Sequence, residues 1–198
     1  MTTPWHDRWR EGRIGFHEGQ PNTFLERHLA HLGTARRVLV PLCGKTEDLA
    51  YLAAAGHQVV GVELVPEAAR AFFDEHPDLP PGAVEIVVAD IFATDRATVG
   101  AVDALWDRAA LIALPADARA RYVAHLRTLL APGARGLIVT IEYPQDRTDG
   151  PPFAVFEDEL RRLWAGADVT IVDTGIAGNR RLEVDGIPPT ERCYALTL

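Results

Sequence analysis

The sequence predicts an open three-layer α/β fold, in which helices cover both faces of a mainly parallel β-sheet. Short apolar runs alternate with segments of helical period along most of the chain, which is the pattern of such a sheet. The 198 residues can bury a sizeable core without disulfides or metal. Because there is no internal repeat, low-complexity tract or flexible linker, we expect a single domain over residues 1–198.

Seven strands are predicted. The last two, near residues 169–172 and 193–196, are separated by a polar loop instead of a strong helix, so we expect a final hairpin whose last strand is antiparallel. The five earlier strands are predicted at residues 38–42, 59–63, 84–88, 102–106 and 136–141.

Helices are predicted between these strands. Thr23 can cap the first helix, since Glu26 follows three residues later in a capping-box arrangement. Pro66 suits the first turn of another helix, whose Phe72 and Phe73 we expect to face the core. The other predicted helices cover residues 46–55 and 117–130, and the first spans 22–32.

Composition excludes several classes of function. A formal net charge of −8 argues against a nucleic-acid partner held through its phosphates. No apolar run approaches the roughly 20 residues that span a bilayer, and residues 1–12 lack the apolar stretch of a secretory signal, so we expect a cytoplasmic protein that binds no membrane. Cys43 and Cys193 are expected to be buried hydrophobic residues, and no metal site is predicted. Since no strongly apolar exposed stripe stands out, we expect a monomer.

A glycine-bearing turn and an acidic residue follow the first two predicted strands. Gly44 permits a ligand to approach the backbone closely, and the helix after it favours a carboxylate. Glu63, 19 residues later, can accept hydrogen bonds from both ribose hydroxyls of an adenosine. The turn holds one glycine of the three in the dinucleotide fingerprint, which favours S-adenosylmethionine over NAD. An NAD-dependent oxidoreductase remains the alternative from a different class.

The third and fourth predicted strands also end in candidate site residues. Asp90 and Ile91 can border an adenine ring, and Asp107 and Arg108 are predicted as the catalytic pair that faces the reacting atoms. Ligands bind outside the carboxyl ends of such strands, so the four strand ends together predict one site. A cofactor-binding module without catalysis is a further alternative.

Several short strings make the sequence recognisable. They are Trp5 to Trp9, Gly15-Phe16-His17, Val40-Pro41-Leu42-Cys43-Gly44-Lys45, Gly56-His57 before Val60-Gly61-Val62-Glu63, Trp106-Asp107-Arg108-Ala109-Ala110-Leu111, and Gly150-Pro151-Pro152-Phe153. With these strings the chain resembles the thiopurine S-methyltransferase family, closely its bacterial members, over nearly its whole length.

The resemblance implies a Rossmann-like class I methyltransferase fold that uses S-adenosylmethionine and no metal. Residues 1–33 are implied to form a helical cap over the site. By analogy with the family, Trp9 or Trp5 packs against the cofactor, Leu42 lines its pocket and Glu63 holds the ribose.

The resemblance also implies the remaining contacts. Asp90 and Ile91 stand where the family contacts adenine, and Arg108 stands near both cofactor and acceptor. Phe16 falls at the aromatic residue that contacts the acceptor, and Trp9 is placed beside it. The implied reaction is methyl transfer to a thiopurine-like or other small thiol. The alternative acceptors are halide, thiocyanate, selenium or tellurium species.

Overall fold

The computed structural model describes residues 4–15, 17–34, 36–178 and 180–198, and seven β-strands in these ranges form one sheet. The spatial order of the strands is β3-β2-β1-β4-β5-β7-β6. All neighbouring pairs among β1 to β5 are parallel, whereas β7 runs antiparallel to both β5 and β6. The predicted sheet and its antiparallel last strand are therefore confirmed. The strands are β1 Arg37–Pro41, β2 Gln58–Glu63, β3 Val84–Val88, β4 Val102–Arg108, β5 Leu130–Glu142, β6 Asp168–Ile176 and β7 Thr190–Thr197.

Helices pack on both faces of the sheet. The core on one face contains side chains of α2, α3 and α4, and the core on the other contains side chains of α5, α6 and α7. None of the helices in the described ranges combines the length and the apolar composition needed to cross a membrane. The helices are α1 Pro4–Arg10, α2 Thr23–His28, α3 Asp48–Ala54, α4 Pro66–Glu75, α5 Arg96–Val99, α6 Ala116–Leu129 and α7 Glu157–Leu163.

The apolar strand runs supply both cores because successive strand residues face opposite sides of a sheet. In β1, Val38 and Val40 pack beneath α2 and α3, while Leu39 between them packs on the side of α6. A parallel sheet that is covered on both faces needs such continuous apolar strands. Cys43 and Cys193 are buried and unpaired, as the sequence predicted.

Two local predictions were wrong. The N-cap of α2 is Asn22, whose side chain accepts a hydrogen bond from the Phe24 N–H, so Thr23 is the first residue of the helix instead of its cap. Phe73 is 42% exposed, while Phe72 is fully buried. The short helix α4 presents one narrow stripe to the sheet, and adjacent positions on a helix point about 100° apart.

The strand order reverses between β1 and β4, which are neighbours in the sheet although two strands separate them along the chain. At such a switch point the loops that follow the two strands turn to opposite faces of the sheet and leave a crevice. The fold therefore places the ends of β1, β2 and β4 around one position suited to a ligand.

Candidate functional site

The turn after β1 and the end of β2 are joined by a carboxylate. The Gly44 N–H donates to Oε2 of Glu63 at 2.8 Å, and the Val65 N–H donates to Oε1 of Glu63 at 2.8 Å. Parallel pairing sets Pro41 of β1 beside Val62 of β2, so the residues that follow each strand meet at the same edge of the sheet. The structure thus brings together the glycine and the acid that the sequence singled out.

The Glu63 carboxylate is nearly buried and still has hydrogen-bonding capacity. Its exposed fraction is 7%, and burial raises the pKa of Glu63, while the hydrogen bonds from the Val65 and Gly44 N–H groups partly offset that rise. Each carboxylate oxygen accepts one of these two bonds and retains a lone pair that a ribose hydroxyl could use. The charge of His6 also lowers the pKa of Glu63, which places α1 close to this edge of the sheet.

Backbone conformations that L-residues rarely adopt occur immediately after the two switch-point strands. Leu42, directly after β1, has a φ of 49°, and Ala109, directly after β4, has a φ of 67°. Gly44 has a φ of 55°, a conformation that glycine adopts without steric cost. Strained positions of this kind cluster at ligand sites, where surrounding structure enforces them. Their location supports a site between β1 and β4.

Gly61 in the middle of β2 supports the turn after β1. A Cβ atom at Gly61 would lie 2.7 Å from Sγ of Cys43, so only glycine leaves room for that side chain. The Cys43 N–H also donates to the Val62 carbonyl at 3.1 Å. Burial raises the pKa of the Cys43 thiol well above its usual range, which keeps it protonated and unreactive. Sequence reasoning missed this contact, although a glycine inside a strand signals a close approach.

Asp107 and Arg108 point to opposite faces of β4, so the structure does not bring the two predicted catalytic side chains together. The Asp107 side chain is 1% exposed and accepts hydrogen bonds from the Leu111 N–H at 3.0 Å and the Tyr122 hydroxyl at 2.9 Å. Burial raises the pKa of Asp107 to about 6. These contacts hold the turn after β4 against α6, which favours a positioning role over contact with reacting atoms.

Arg108 pairs with an acid from the amino-terminal segment instead of with Asp107. Its guanidinium donates to the carboxylate of Glu18, and its side chain is 15% exposed. Burial raises the pKa of Glu191 in β7. The charge of Arg108 lowers that pKa and the charge of Glu18 raises it, so Glu191 lies near both residues. Two acidic groups, Glu18 and Glu191, therefore lie near Arg108 at the carboxyl edge of the sheet.

The remaining predicted site residues occupy different environments. Asp90 is exposed and caps a short turn by accepting from the Phe92 N–H at 3.0 Å, whereas Ile91 is 5% exposed and packs in the core. Trp5 and Trp9 are half-buried in α1. Phe16 lies outside the described residues.

Lys45, the only lysine in the chain, faces α4 and not the end of β2. Its ammonium pairs with Glu75. A ring nitrogen of His17 and carboxylate oxygens of Glu47 and Glu75 all lie within 4.8 Å of one another. His76 adds a hydrogen bond to Glu47 at 2.9 Å. This polar cluster joins the amino-terminal segment to α3 and α4, which indicates a structural role for His17 and Lys45.

A broad surface hollow lies away from the strand ends. It has a volume of about 700 Å³ and lies between α6 and α7, where Ala120, Arg127 and Leu163 contribute to its lining. It contains neither the strand-end glycine nor the acid that the switch point provides. We therefore place the candidate site by its chemistry and by the strand topology.

Comparisons with known proteins agree on one family. The family model described as thiopurine S-methyltransferase matches residues 1–177. A thiopurine S-methyltransferase from Azotobacter vinelandii is 49% identical over 173 residues, which cover 80% of this chain and 79% of the relative. A protein of the same name from Pseudomonas aeruginosa is 45% identical over 177 residues, which cover 82% and 81%.

Solved structures agree on the fold. The 1,6-didemethyltoxoflavin-N1-methyltransferase of Burkholderia thailandensis, solved with bound S-adenosylhomocysteine, superposes with a TM-score of 0.70. It is 23% identical, and the match covers 98% of this chain and 86% of that one. TehB from Haemophilus influenzae superposes with a TM-score of 0.60 at 16% identity, over 85% of this chain and 58% of that one. At these identities the similarity shows the class I methyltransferase fold.

Proposed function

Since the chain belongs to the thiopurine S-methyltransferase family, we propose that it transfers the methyl group of S-adenosylmethionine to the sulfur of a thiopurine-like or other small thiol. The chain is an S-adenosylmethionine-dependent methyltransferase, and the identity of the acceptor is the part that we propose. One observation carries the placement of the site: Glu63 and Gly44 are in direct contact at the switch point of the sheet.

The residues at the strand ends fit the adenosyl group. We propose that Glu63 accepts the ribose hydroxyls and that Leu42 and Gly44 border the ligand from the turn after β1. The near burial of Glu63 supports this role, since a desolvated carboxylate gains much from added donors. Asp90 and Ile91 follow β3 and are proposed to flank adenine. Trp9 or Trp5 of α1 is proposed to cover the cofactor, in keeping with the proximity of α1 to Glu63.

The chemistry asks little acid–base work of the protein. When bound, S-adenosylmethionine supplies a methyl carbon on a sulfonium, which is the electrophile of an in-line displacement. The main task of this chain is to align the acceptor sulfur and to exclude water. An aromatic thiol is partly ionised near neutral pH, so Arg108 is proposed to stabilise the thiolate. Phe16 and Trp9 are proposed to contact the acceptor, while Asp107 is proposed to hold the turn that directly follows Arg108.

An apolar cluster at the carboxyl end of β5, the strand that pairs with β4, supports an acceptor with an apolar body. It combines residues of the end of β5, of the segment after it and of the connection between β6 and β7. Side chains of this kind favour an aromatic ring over a hydrated halide ion. The cluster consists of Ile141, Tyr143, Ala154, Ala177 and Leu182.

Alternative acceptors and cofactors are not favoured. The comparisons name thiopurine S-methyltransferases, which supports a thiol over halide, thiocyanate, selenium or tellurium species. Membership of this family also leaves an NAD-dependent oxidoreductase without support. We further propose a cytoplasmic monomer that binds neither nucleic acid nor membrane, and size-exclusion chromatography with light scattering checks the monomer.

A direct experiment tests this function. The purified protein is incubated with S-adenosylmethionine labelled in the methyl group and a panel of aryl thiols, thiopurines and thiocyanate. We expect label in the thioethers and little in methyl thiocyanate. Calorimetric titration with S-adenosylhomocysteine tests cofactor binding separately, beside NADH as a control. An absence of binding by S-adenosylhomocysteine and of labelled product would refute the proposal.

A further inference from the structure

Glu18 in the segment between α1 and α2 places its carboxylate directly against Arg108. One carboxylate oxygen accepts from the Arg108 guanidinium, and the other accepts from Nδ2 of Asn22 at 3.2 Å. The Glu18 side chain is 39% exposed, while that of Arg108 is 15% exposed. Both carboxylate oxygens are therefore engaged, which fixes the direction in which Glu18 presents its charge.

The support behind Glu18 is buried. Asn22 is 4% exposed, and its backbone N–H donates to Oδ1 of Asp48 at 2.7 Å. Oδ2 of Asp48 accepts from Nε1 of Trp106 at 2.8 Å. Trp106 and Arg108 are two residues apart on β4 and so face the same side of the sheet. A series of hydrogen bonds thus runs from Trp106 through Asp48 and Asn22 to Glu18, and returns to β4 at Arg108.

The charges around Arg108 disfavour a further anion. Glu18 pairs with the guanidinium directly, and Glu191 of β7 lies near both of them. When both are ionised, two carboxylates beside one guanidinium give this part of the site a net negative charge, so each negative group that an acceptor carries besides its thiolate is opposed. An incoming anion must therefore displace Glu18 or lie beside it, and like charges that are brought together in a partly buried site repel strongly.

We propose that Glu18 is a specificity-determining residue. By pairing with the guanidinium of Arg108, it makes the site favour acceptors with a neutral body over acceptors that carry a carboxylate. This inference rests on the proposed function, because it takes Arg108 to lie at the acceptor site. Methyl transfer still proceeds on the thiolate sulfur, which brings one negative charge and loses it in the product. A carboxylate on the acceptor brings a second charge that Glu18 opposes.

The test compares Glu18→Gln with the wild type. Glutamine keeps the side-chain length and can accept from Arg108, but it removes the charge. The acceptors are 4-methylbenzenethiol, whose body is neutral, and the 2-, 3- and 4-mercaptobenzoates, whose body is anionic. The matched control is Glu11→Gln, which removes an equal charge from an exposed residue that pairs with Arg13 in the same part of the chain.

The expected result is a change in preference. We compare the KM for a mercaptobenzoate with the KM for 4-methylbenzenethiol. For at least one mercaptobenzoate, this ratio of KM values should be roughly tenfold lower in Glu18→Gln than in the wild type, as expected when a like charge is removed from a partly exposed contact. The kcat for both acceptors should change little. Glu11→Gln should leave the ratio within about twofold of the wild type, since exposed pairs contribute little. Added salt should shrink the difference, because the Glu18 contact is partly open to solvent.

Three other outcomes overturn the inference. If the wild type methylates thiols but the ratio of KM values is the same in Glu18→Gln, the specificity role of Glu18 is refuted and the proposed function stands. A loss of kcat shared equally by neutral and anionic acceptors would show that Glu18 only positions Arg108. If the wild type methylates no thiol, the inference falls together with the proposed function. A thermal melt of each variant checks that it is folded.

Discussion

At the scale of single residues, the proposed site depends on the carboxylate of Glu63 and on the lack of a side chain at Gly61. Glu63 links the turn after β1 to the start of the connection after β2, because its two oxygens accept from Gly44 and Val65. Gly61 admits Cys43 against the strand. Both contacts are made within the protein itself, so the chain's own hydrogen bonds and packing hold the proposed ribose site in shape.

Replacing Glu63 with glutamine should weaken cofactor binding. The amide nitrogen of the new side chain would face a backbone N–H, so one of the two hydrogen bonds is lost together with the charge that receives ribose hydroxyls. We expect the Kd for S-adenosylhomocysteine to rise about 10- to 100-fold, since a hydrogen bond to a charged group contributes roughly 1.5–3 kcal/mol. Calorimetry measures it, and the control is Glu85→Gln, which alters an exposed acid on β3. Equal affinities in both variants would contradict the ribose assignment.

Replacing Gly61 with alanine should disturb the turn after β1. The new Cβ would stand 2.7 Å from Sγ of Cys43, so that side chain and the turn that carries it must shift. We expect the free energy of unfolding to fall by about 1–3 kcal/mol, as for other overpacked cores. Urea denaturation measures the change. Gly178→Ala, with no atom within 4 Å of the added Cβ, should be nearly neutral, and similar losses for both would argue against a steric cause.

Among the helices and strands, a buried carboxylate at the start of α3 joins three parts of the fold. Asp48 is 1% exposed and accepts from the Asn22 N–H ahead of α2 and from Trp106 Nε1 in β4. Buried donors require acceptors, so this side chain fixes α2 to the sheet in addition to the apolar packing of Phe24 and Leu25. The same contacts support Glu18 and, through it, the guanidinium of Arg108.

Removing the Asp48 carboxylate should therefore destabilise the protein. Asp48→Ala leaves two buried donors without acceptors, and we expect the free energy of unfolding to fall by roughly 2–5 kcal/mol. Asp74→Ala, at an exposed position of α4, should change it by less than about 0.5 kcal/mol. Denaturant unfolding followed by tryptophan fluorescence measures both variants. A loss below about 1 kcal/mol in Asp48→Ala would show that water replaces the missing acceptor.

For the molecule as a whole, Asp107 couples stability to pH. Its pKa is raised from 3.8 to about 6 because burial outweighs the hydrogen bonds from Leu111, Tyr122 and Ala110. An acid whose folded pKa lies above its unfolded pKa stabilises the fold fully at low pH, and that contribution is lost as the pH rises through the folded value. For Asp107 the loss occurs between about pH 4 and about pH 6.

Asp107→Asn should remove this dependence. The difference in free energy of unfolding between wild type and variant should shift by about 2 kcal/mol between about pH 4 and 7, because the wild type becomes less stable relative to the variant as the pH rises. Urea titrations at several pH values measure the difference, in which the other titrating groups cancel. A difference that stays constant with pH would mean that Asp107 ionises as it does in the unfolded chain.

The class of fold, the family and the spacing that brings Gly44 to Glu63 could all be predicted from the amino-acid order, because apolar periodicity and local motifs are properties of neighbouring residues. The residue that caps α2 could not be predicted in this way, since Asn22 and Thr23 are both good caps and packing decides between them. The exposure of Phe73 likewise depends on how α4 lies on the sheet.

The partners of the two predicted catalytic residues emerged only from the folded chain. Asp107 turns toward Tyr122, and Arg108, on the opposite face of β4, pairs with Glu18, which lies 90 residues away along the chain. Contacts between distant segments leave no periodic signal in the sequence, because they depend on how the amino-terminal segment lies across the sheet. For that physical reason the charge environment of Arg108, and with it the proposed acceptor preference, became visible only in three dimensions.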